Sequence, residues 1–489
     1  MPCRVPSPPA RALPLLAAAL LAACRPAPTP PLGPEEQAAR EFANVLPRDA
    51  PAARTTRTFE LTAAPVTLPL LDGRSLAVWA YNGTVPGPTL RVRRGERLRV
   101  EFRNALPQPT TVHWHGVRLP NAMDGVPGVT QAPVPPGGTF VYEFVPKDAG
   151  TFWFHPHVRG SEQVERGLHG VLVVEDERPL PFDQDLVWVL DDWRLDASGA
   201  IDPAFNTRHD LAHDGRWGRD VTVNGRSDTR LFARPGARLR VRILNAANGR
   251  VFRLDLGGLP AQLLAVDGTY ASRPTSADGF ELAPGNRVDL DVTLPANAGG
   301  RTFAIGDRFV PRSPNALATV EVTSEPARPT PRFEVPRPRV PRWAGGLALP
   351  IRQTYRLDAR AGGPFGIEWM FNGEAFRHED ASGHEHPTAT LALGAWSRLR
   401  FVNDSSRLHP IHLHGMFFRV IGRDGAFVDE PFLRDTALVH ARETVDLAVV
   451  PLDEGRWMMH CHVLEHAEAG MMTLLDVVPP GRSPPAHRH

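Results

Sequence analysis

The chain has 489 residues, too many for one hydrophobic core, and its length suggests about three domains. Its 42% hydrophobic and 22% charged residues are ordinary for a globular protein. A net charge of +1 excludes strong electrostatic attraction to nucleic acid or an anionic membrane surface. The 51 prolines and 42 glycines punctuate short strands and long loops, which favours an all-β chain over a helical one. Basic charge is almost all arginine, with Lys147 the single lysine, and a GC-rich genome accounts for that bias.

At the N-terminus, Arg4 and Arg11 precede an apolar run from Leu13 to Ala23 that is too short to span a bilayer. The run ends Leu21-Ala22-Ala23-Cys24, which resembles a bacterial lipobox. That resemblance implies a signal peptide over residues 1–24, a lipidated Cys24, and an exported protein anchored in the periplasm or at the cell surface. Residues 25–54 are expected to form a Pro-rich tether, since Arg25 to Pro34 is too polar and too stiff to pack. Cys3 and Cys24 belong to the leader, which leaves Cys461 alone in the body and allows no internal disulfide there. A lone thiol in an oxidising compartment needs protection, which a bound metal would supply.

One pattern then recurs three times. Its copies are Asn82-Gly83 followed by Leu90 to Asn104, Asn224-Gly225 followed by Leu231 to Asn245, and Asn372-Gly373 followed by Leu391 to Asn403. In each, an asparagine falls nine residues after a second glycine (Gly95, Gly236, Gly394), and the fifth and seventh positions after that glycine are apolar. Alternating apolar positions read as a half-buried strand. Copies 141 and 158 residues apart suggest three related β-sandwich domains, over residues 55–177, 178–325 and 344–478. A Pro-rich linker is expected over 326–343 and a short tail over 479–489.

Four His-x-His pairs stand in apolar or aromatic, strand-like runs: His113/His115, His155/His157, His412/His414 and His460/His462. Residues two apart on a strand point to one side, so each pair aims two imidazoles at one place. Imidazole suits copper, zinc, iron and nickel. Eight histidines suffice for three ions as two, three and three. His384/His386 and His487/His489 lie in polar sequence and read as solvent-facing. Cys461 sits between His460 and His462, so it points to the opposite face. With His409, His466 and Met471 it makes two histidines, a thiolate and a distant methionine, the donor set of a blue-copper site.

Taken together, His113-Trp-His-Gly116, His155-Pro-His157, His409-Pro-Ile-His-Leu-His-Gly415 and His460-Cys-His-Val-Leu-Glu-His466 with Met471 resemble the four copper motifs of the multicopper oxidases, in their usual order. The match covers residues 55 to 478. It implies three consecutive cupredoxin-like Greek-key sandwiches and four copper ions. His409, Cys461, His466 and Met471 would hold the type 1 copper, and His113 and His412 the type 2 copper. His115, His155 and His462 would hold one type 3 copper, and His157, His414 and His460 the other. The three-ion cluster would lie between the first and third domains, with the second as a spacer.

The same resemblance implies a laccase-like oxidase. It would take single electrons from phenols, aromatic amines or metal ions and reduce dioxygen to two waters. Asp124 matches the position of a cluster-side carboxylate. His466-Ala-Glu-Ala-Gly470 resembles the pattern of fungal and plant members, which makes Glu468 the candidate proton donor although many bacterial members have glutamate at the position of Ala467. No nucleic-acid partner is implied, and a monomer is expected. The main alternative is a copper-tolerance protein, acting as a cuprous oxidase or by sequestering copper. Only eight methionines occur, without a Met-rich run, which ranks the cuprous specialisation lower. A two-domain nitrite reductase conflicts with three modules, and a copper-free scaffold would require lost ligands.

Overall fold

The computed structural model describes residues 33–341, 343, 345–377 and 388–482. Cys3, Cys24, His384, His386, His487 and His489 lie outside the described residues. The described chain is built from β-sheets, with short helices between strands.

Six sheets fall into three pairs in chain order, each pair drawn from one copy of the repeat. The pairs share a mixed topology. In one sheet of each, Thr55–Leu70 runs parallel to Glu96–Asn104, Gln184–Trp193 to Arg238–Asn245, and Ile351–Ala361 to Ser397–Asn403. In the other, Leu90–Arg93 runs parallel to Gly170–Glu175, Thr229–Ala233 to Asn315–Val322, and Ala389–Ala392 to Met472–Val478. The fold is all-β, with three cupredoxin-like units.

The repeated asparagines explain why the pattern recurs. Asn82, Asn224 and Asn372 adopt φ of 51°, 53° and 54°, and the glycines after them 73°, 74° and 82°. Both turn positions thus lie in the left-handed region that Asn and Gly tolerate, as a two-residue hairpin turn requires. Each asparagine side chain also clasps a neighbouring strand. Asn82 accepts from Thr62 N (2.7 Å) and donates to Glu60 O (2.8 Å). Asn224 does the same with Val189 and Val187, and Asn372 with Arg356 and Thr354. The second asparagine of each copy is buried and closes a loop. Asn104, Asn245 and Asn403 each donate to two carbonyls and accept from the amide two residues on.

The apolar interiors of the first and third units merge into one core, while the second unit has its own. The strands that carry the histidine motifs belong to these two units.

The expected tether departs from the structure. Its middle forms a helix, Pro34–Ala43, with proline in the first turn and the Gly33 amide donating to the Glu36 carboxylate. Ala38 and Phe42, four residues apart, share one face and are buried in the joint core. The Phe42 ring stacks on Trp343 at 5.5 Å, and Trp343 meets Trp396 edge-on at 4.7 Å. Beyond the helix, Pro47 O accepts from Arg118 and Arg48 O from Lys147, which also contacts Asp453 of the third unit. Proline content had indicated stiffness; the paired apolar positions outweigh it. Phe42→Ala should therefore destabilise the protein by about 3 kcal/mol, the scale for emptying a buried aromatic site. Gln37→Ala on the exposed face should change stability by less than about 0.5 kcal/mol. Equal thermal unfolding midpoints for the two variants would show that the segment lies outside the folded core.

Candidate metal centres

The strands dictate how the histidines meet. His113–His115 pairs antiparallel with Gly150–His155, so that His113 opposes His155 and Trp114 opposes Phe154. His409–Leu413 pairs with Gly455–Cys461, so that His412 opposes His460 and Ile411 opposes Cys461. Alternation sends Trp114, Phe154 and Ile411 into the apolar core and turns the histidines between them to the other face. Eight imidazoles from the first and third units thereby meet in one buried space. His115 stacks on His412 with ring centroids 3.6 Å apart, and His113 on His414 at 3.9 Å.

Ring protons reveal what these side chains await. A ring nitrogen facing a carbonyl oxygen carries the proton, which leaves the other bare when the ring is neutral. His113 Nδ1 faces Asp124 O (2.7 Å), His155 Nδ1 faces Pro156 O (2.9 Å), His412 Nδ1 faces Asp435 O (2.9 Å) and His460 Nδ1 faces Cys461 O (2.8 Å). Their Nε2 atoms point into the shared space, and those of His113, His155 and His412 have no hydrogen-bond partner there. His115 Nδ1 and both nitrogens of His462 lack one too. His414 donates Nδ1–H to the Asp124 carboxylate (2.8 Å), so its bare Nε2 faces that of His460 at 3.1 Å. Burial, with added repulsion among the imidazoles, lowers the pKa of His115, His155, His414, His460 and His462 well below the ordinary value and keeps them neutral. Two bare nitrogens at hydrogen-bond distance in an apolar interior require a cation between them. The donor set fits metal ions.

The ligand atoms of His157, His414 and His460 lie within 4.8 Å of one another, as that expected trio requires. Those of His113, His115 and His155 also group, as do those of His113, His412 and His414. His113 is thus shared between neighbourhoods. His462 joins through ring contacts at 4.9 Å to His115 and 5.5 Å to His155.

A second centre lies on the other face of the same strands. Cys461 Sγ is 3.6 Å from His409 Nδ1 and 3.8 Å from His466 Nδ1, which are 3.3 Å from each other. His466 donates Nε2–H to His213 O (2.7 Å). His409 Nε2–H reaches Ser405 Oγ (2.9 Å), whose own hydroxyl donates to Asn403. Both Nδ1 atoms are therefore bare and aimed at the sulfur. Burial pushes the Cys461 thiol far up, so ionising it needs a bound cation. Met471 is buried beside them, its main chain bonded to Cys461 N and His466 O. Trp369 packs against both imidazoles, at 4.8 Å from His409 and 4.3 Å from His466.

The two candidate carboxylates sit differently. Asp124 is buried, and its main chain and side chain hold His113 and His414, from two units, together. Glu468 ends the short helix Leu464–Glu468 and shares with His155, His157 and His460 a cavity of about 20 Å³, room for one water. Burial raises the Glu468 carboxyl to about 7 against the opposing pull of Arg159.

Sequence reasoning missed Asp435, Asp267 and Arg287. Asp435 Oδ1 lies 3.1 Å from His115 Nε2 and 3.6 Å from His412 Nδ1. Arg287, from the second unit, donates to both Asp435 oxygens at 2.9 and 2.6 Å. Burial would raise Asp435, but Arg287 outweighs it and holds the carboxyl below its ordinary range. No short motif marks these residues, because their partners lie up to 320 positions away. The second unit is therefore more than a spacer: it supplies a charge next to the histidines.

Comparison with known proteins agrees with this geometry. Profiles described as multicopper oxidase match residues 62–179, 184–323 and 350–481. The chain is 33% identical over 472 residues to the multicopper oxidase MmcO of Mycobacterium tuberculosis, covering 88% of each. It is 27% identical over 518 residues to laccase-1 of Cryptococcus neoformans var. grubii, covering 88% of this chain and 81% of the relative. The crystal structure of a multi-copper oxidase from Pseudomonas thermotolerans superposes with a TM-score of 0.76 at 37% identity, over 86% of this chain and 99% of that one. The chain belongs to the multicopper oxidase family.

Proposed function

We propose that this oxidase is laccase-like and holds four copper ions at the two centres described above. His409, Cys461, His466 and Met471 would hold a type 1 ion, and the eight paired histidines a type 2 and two type 3 ions. The observation that carries the reading is the pair of facing bare nitrogens, His414 to His460 at 3.1 Å and His409 to His466 at 3.3 Å. When bound, copper supplies one-electron redox chemistry, so that electrons from phenols, aromatic amines or metal ions reach dioxygen four at a time and two waters form.

The chain's own residues do the rest. Cys461 lies between two cluster histidines in sequence, which gives a covalent path from one centre to the other. Asp124 fixes the ring protons of His113 and His414 on Nδ1 and leaves Nε2 bare. Dioxygen reduction consumes protons inside a closed space, and Glu468 borders the one-water cavity that reaches three cluster histidines. It would deliver them. The lipobox resemblance at Cys24 extends the reading to an exported, lipid-anchored protein.

Two outcomes test this. Cys461→Ser should abolish the intense thiolate-to-copper absorption and nearly all oxidase activity, while copper analysis still finds metal at the histidine cluster. A variant that stays blue refutes the assignment. Glu468→Gln should keep the blue colour and copper content but slow reoxidation of the reduced enzyme by dioxygen roughly 10²-fold, the lower end for loss of a general acid. The sign with pH follows from a carboxyl near 7. The wild type holds the donor proton below that pH and loses it above, so its rate should fall as pH rises through 7. The variant has no such step. Stopped-flow reoxidation at wild-type rate across pH would rule Glu468 out as the donor.

A further inference from the structure

Three units converge on one guanidinium. Arg287 lies on the strand Arg287–Thr293 of the second unit and is wholly buried. Its Nε donates to Thr151 O of the first unit (3.1 Å) and its Nη1 to Gly285 O (3.0 Å). Its fork grips Asp435 of the third unit at 2.9 and 2.6 Å. Asp435 in turn meets His115 Nε2, and Thr436 Oγ1 adds a hydrogen bond to the same carboxylate oxygen (2.9 Å).

The surrounding backbone is cut to fit this contact. Gly116 has φ near +80°, and a Cβ there would lie 2.3 Å from both Arg287 Nη2 and Asp435 Oδ2. A Cβ at Gly285 would lie 2.9 Å from both His115 and His462. On the far side, Asp267 accepts from the Arg287 and Asn286 amide groups, and Asn286 also donates to Thr436 O. The loop that carries Asp435 is thus held from the second unit at several points.

We propose that Arg287 is a positioning residue for the histidine cluster. It clamps Asp435 so that the carboxylate accepts a hydrogen bond from His115 Nε2–H and leaves Nδ1, the buried ring atom without a partner, to face the metals. The remaining cluster histidines with defined ring protons set them on Nδ1, through carbonyls or Asp124. His115 is the reverse, and Asp435 is what reverses it. A planar fork is needed because one donor leaves a carboxylate free to rotate, whereas two parallel hydrogen bonds fix its plane. Second partners of metal-bound imidazoles typically change metal affinity 10- to 100-fold when lost.

This inference rests on the copper reading, and the experiment separates the two. The full chain is loaded with copper and challenged with increasing chelator, while cluster copper and the blue absorption of the Cys461 centre are followed separately. Arg287→Met should surrender cluster copper at 10- to 100-fold lower chelator, with the blue absorption unchanged. Arg287→Lys, which keeps the charge but not the fork, should fall between it and the wild type. If Arg287→Met does not fold, the lysine variant carries the same comparison. Unchanged extraction in the lysine variant overturns the proposal while leaving the copper reading intact. So does parallel loss of cluster copper and blue colour, which would mark Arg287 as holding only the units together. A wild-type chain that binds no cluster copper overturns both readings.

Discussion

Two neutral imidazoles whose bare nitrogens meet at 3.1 Å, as His414 and His460 do, repel each other unless a cation lies between them. In water that repulsion would be screened and the rings would turn away. Here their Nδ1 protons are committed to Asp124 and to Cys461 O, and the walls are packed aromatic and aliphatic side chains. The fold therefore presents a cation-binding arrangement at its centre, oriented by hydrogen bonds outside it. The same logic governs the thiol centre, where Ser405 and His213 O claim the outer nitrogens of His409 and His466. Much of the architecture serves to keep these outer partners in place.

Charge burial is the second means of doing so. Arg118, Arg216, Arg242, Arg287 and Arg419 are among the largest wholly buried side chains. Arg118 grips Asp148 with two nitrogens at 2.8 Å and also approaches Asp453 of the third unit. Arg216 of the second unit meets Glu165 of the first at 2.8 Å. Such pairs add little net stability compared with apolar packing, but breaking one leaves a buried charge alone. Where they cross between units, as Arg216–Glu165 and Arg287–Asp435 do, separating the units would leave both charges without their partners. The near absence of lysine, first read as genome composition, has a structural counterpart at these positions, since an ammonium cannot supply a planar fork.

The sequence announced the parts of this protein that depend on neighbours in the chain. The Asn-Gly turns and the asparagines nine residues beyond the second glycine are local devices, and they located all three sandwiches. The His-x-His spacing is a strand property, and it marked the eight histidines that meet in the buried cluster. What stayed hidden depends on contacts distant in sequence. Arg287, Asp267 and Asp435 become a unit only when the second and third units dock, and no spacing betrays that. The helix Pro34–Ala43 was masked for another reason: its proline and charged residues dominate composition, while Ala38 and Phe42, which decide its packing, are only two positions.

The strand pleat also explains why one short segment serves both centres. Cys461 opposes Ile411, and His460 opposes His412, on adjacent rungs of one ladder. Successive side chains alternate between faces, so the thiol points to the His409 and His466 side while its two neighbours point to the cluster. The spacing between the centres is then a consequence of backbone geometry and needs no separate support. A one-residue slip of Gly455–Cys461 against His409–Leu413 would exchange the faces and disarm both centres together. Register is pinned against this slip by Met472–Val478, which pairs with Gly455–Cys461 on its other edge from Gly455 to His460. At the strand end, Cys461 N donates to Met471 O, and just past it His462 N donates to Pro410 O. The main-chain bonds that continue the ladder therefore also place Met471 beside the thiol, so the methionine and cysteine are set by the same register.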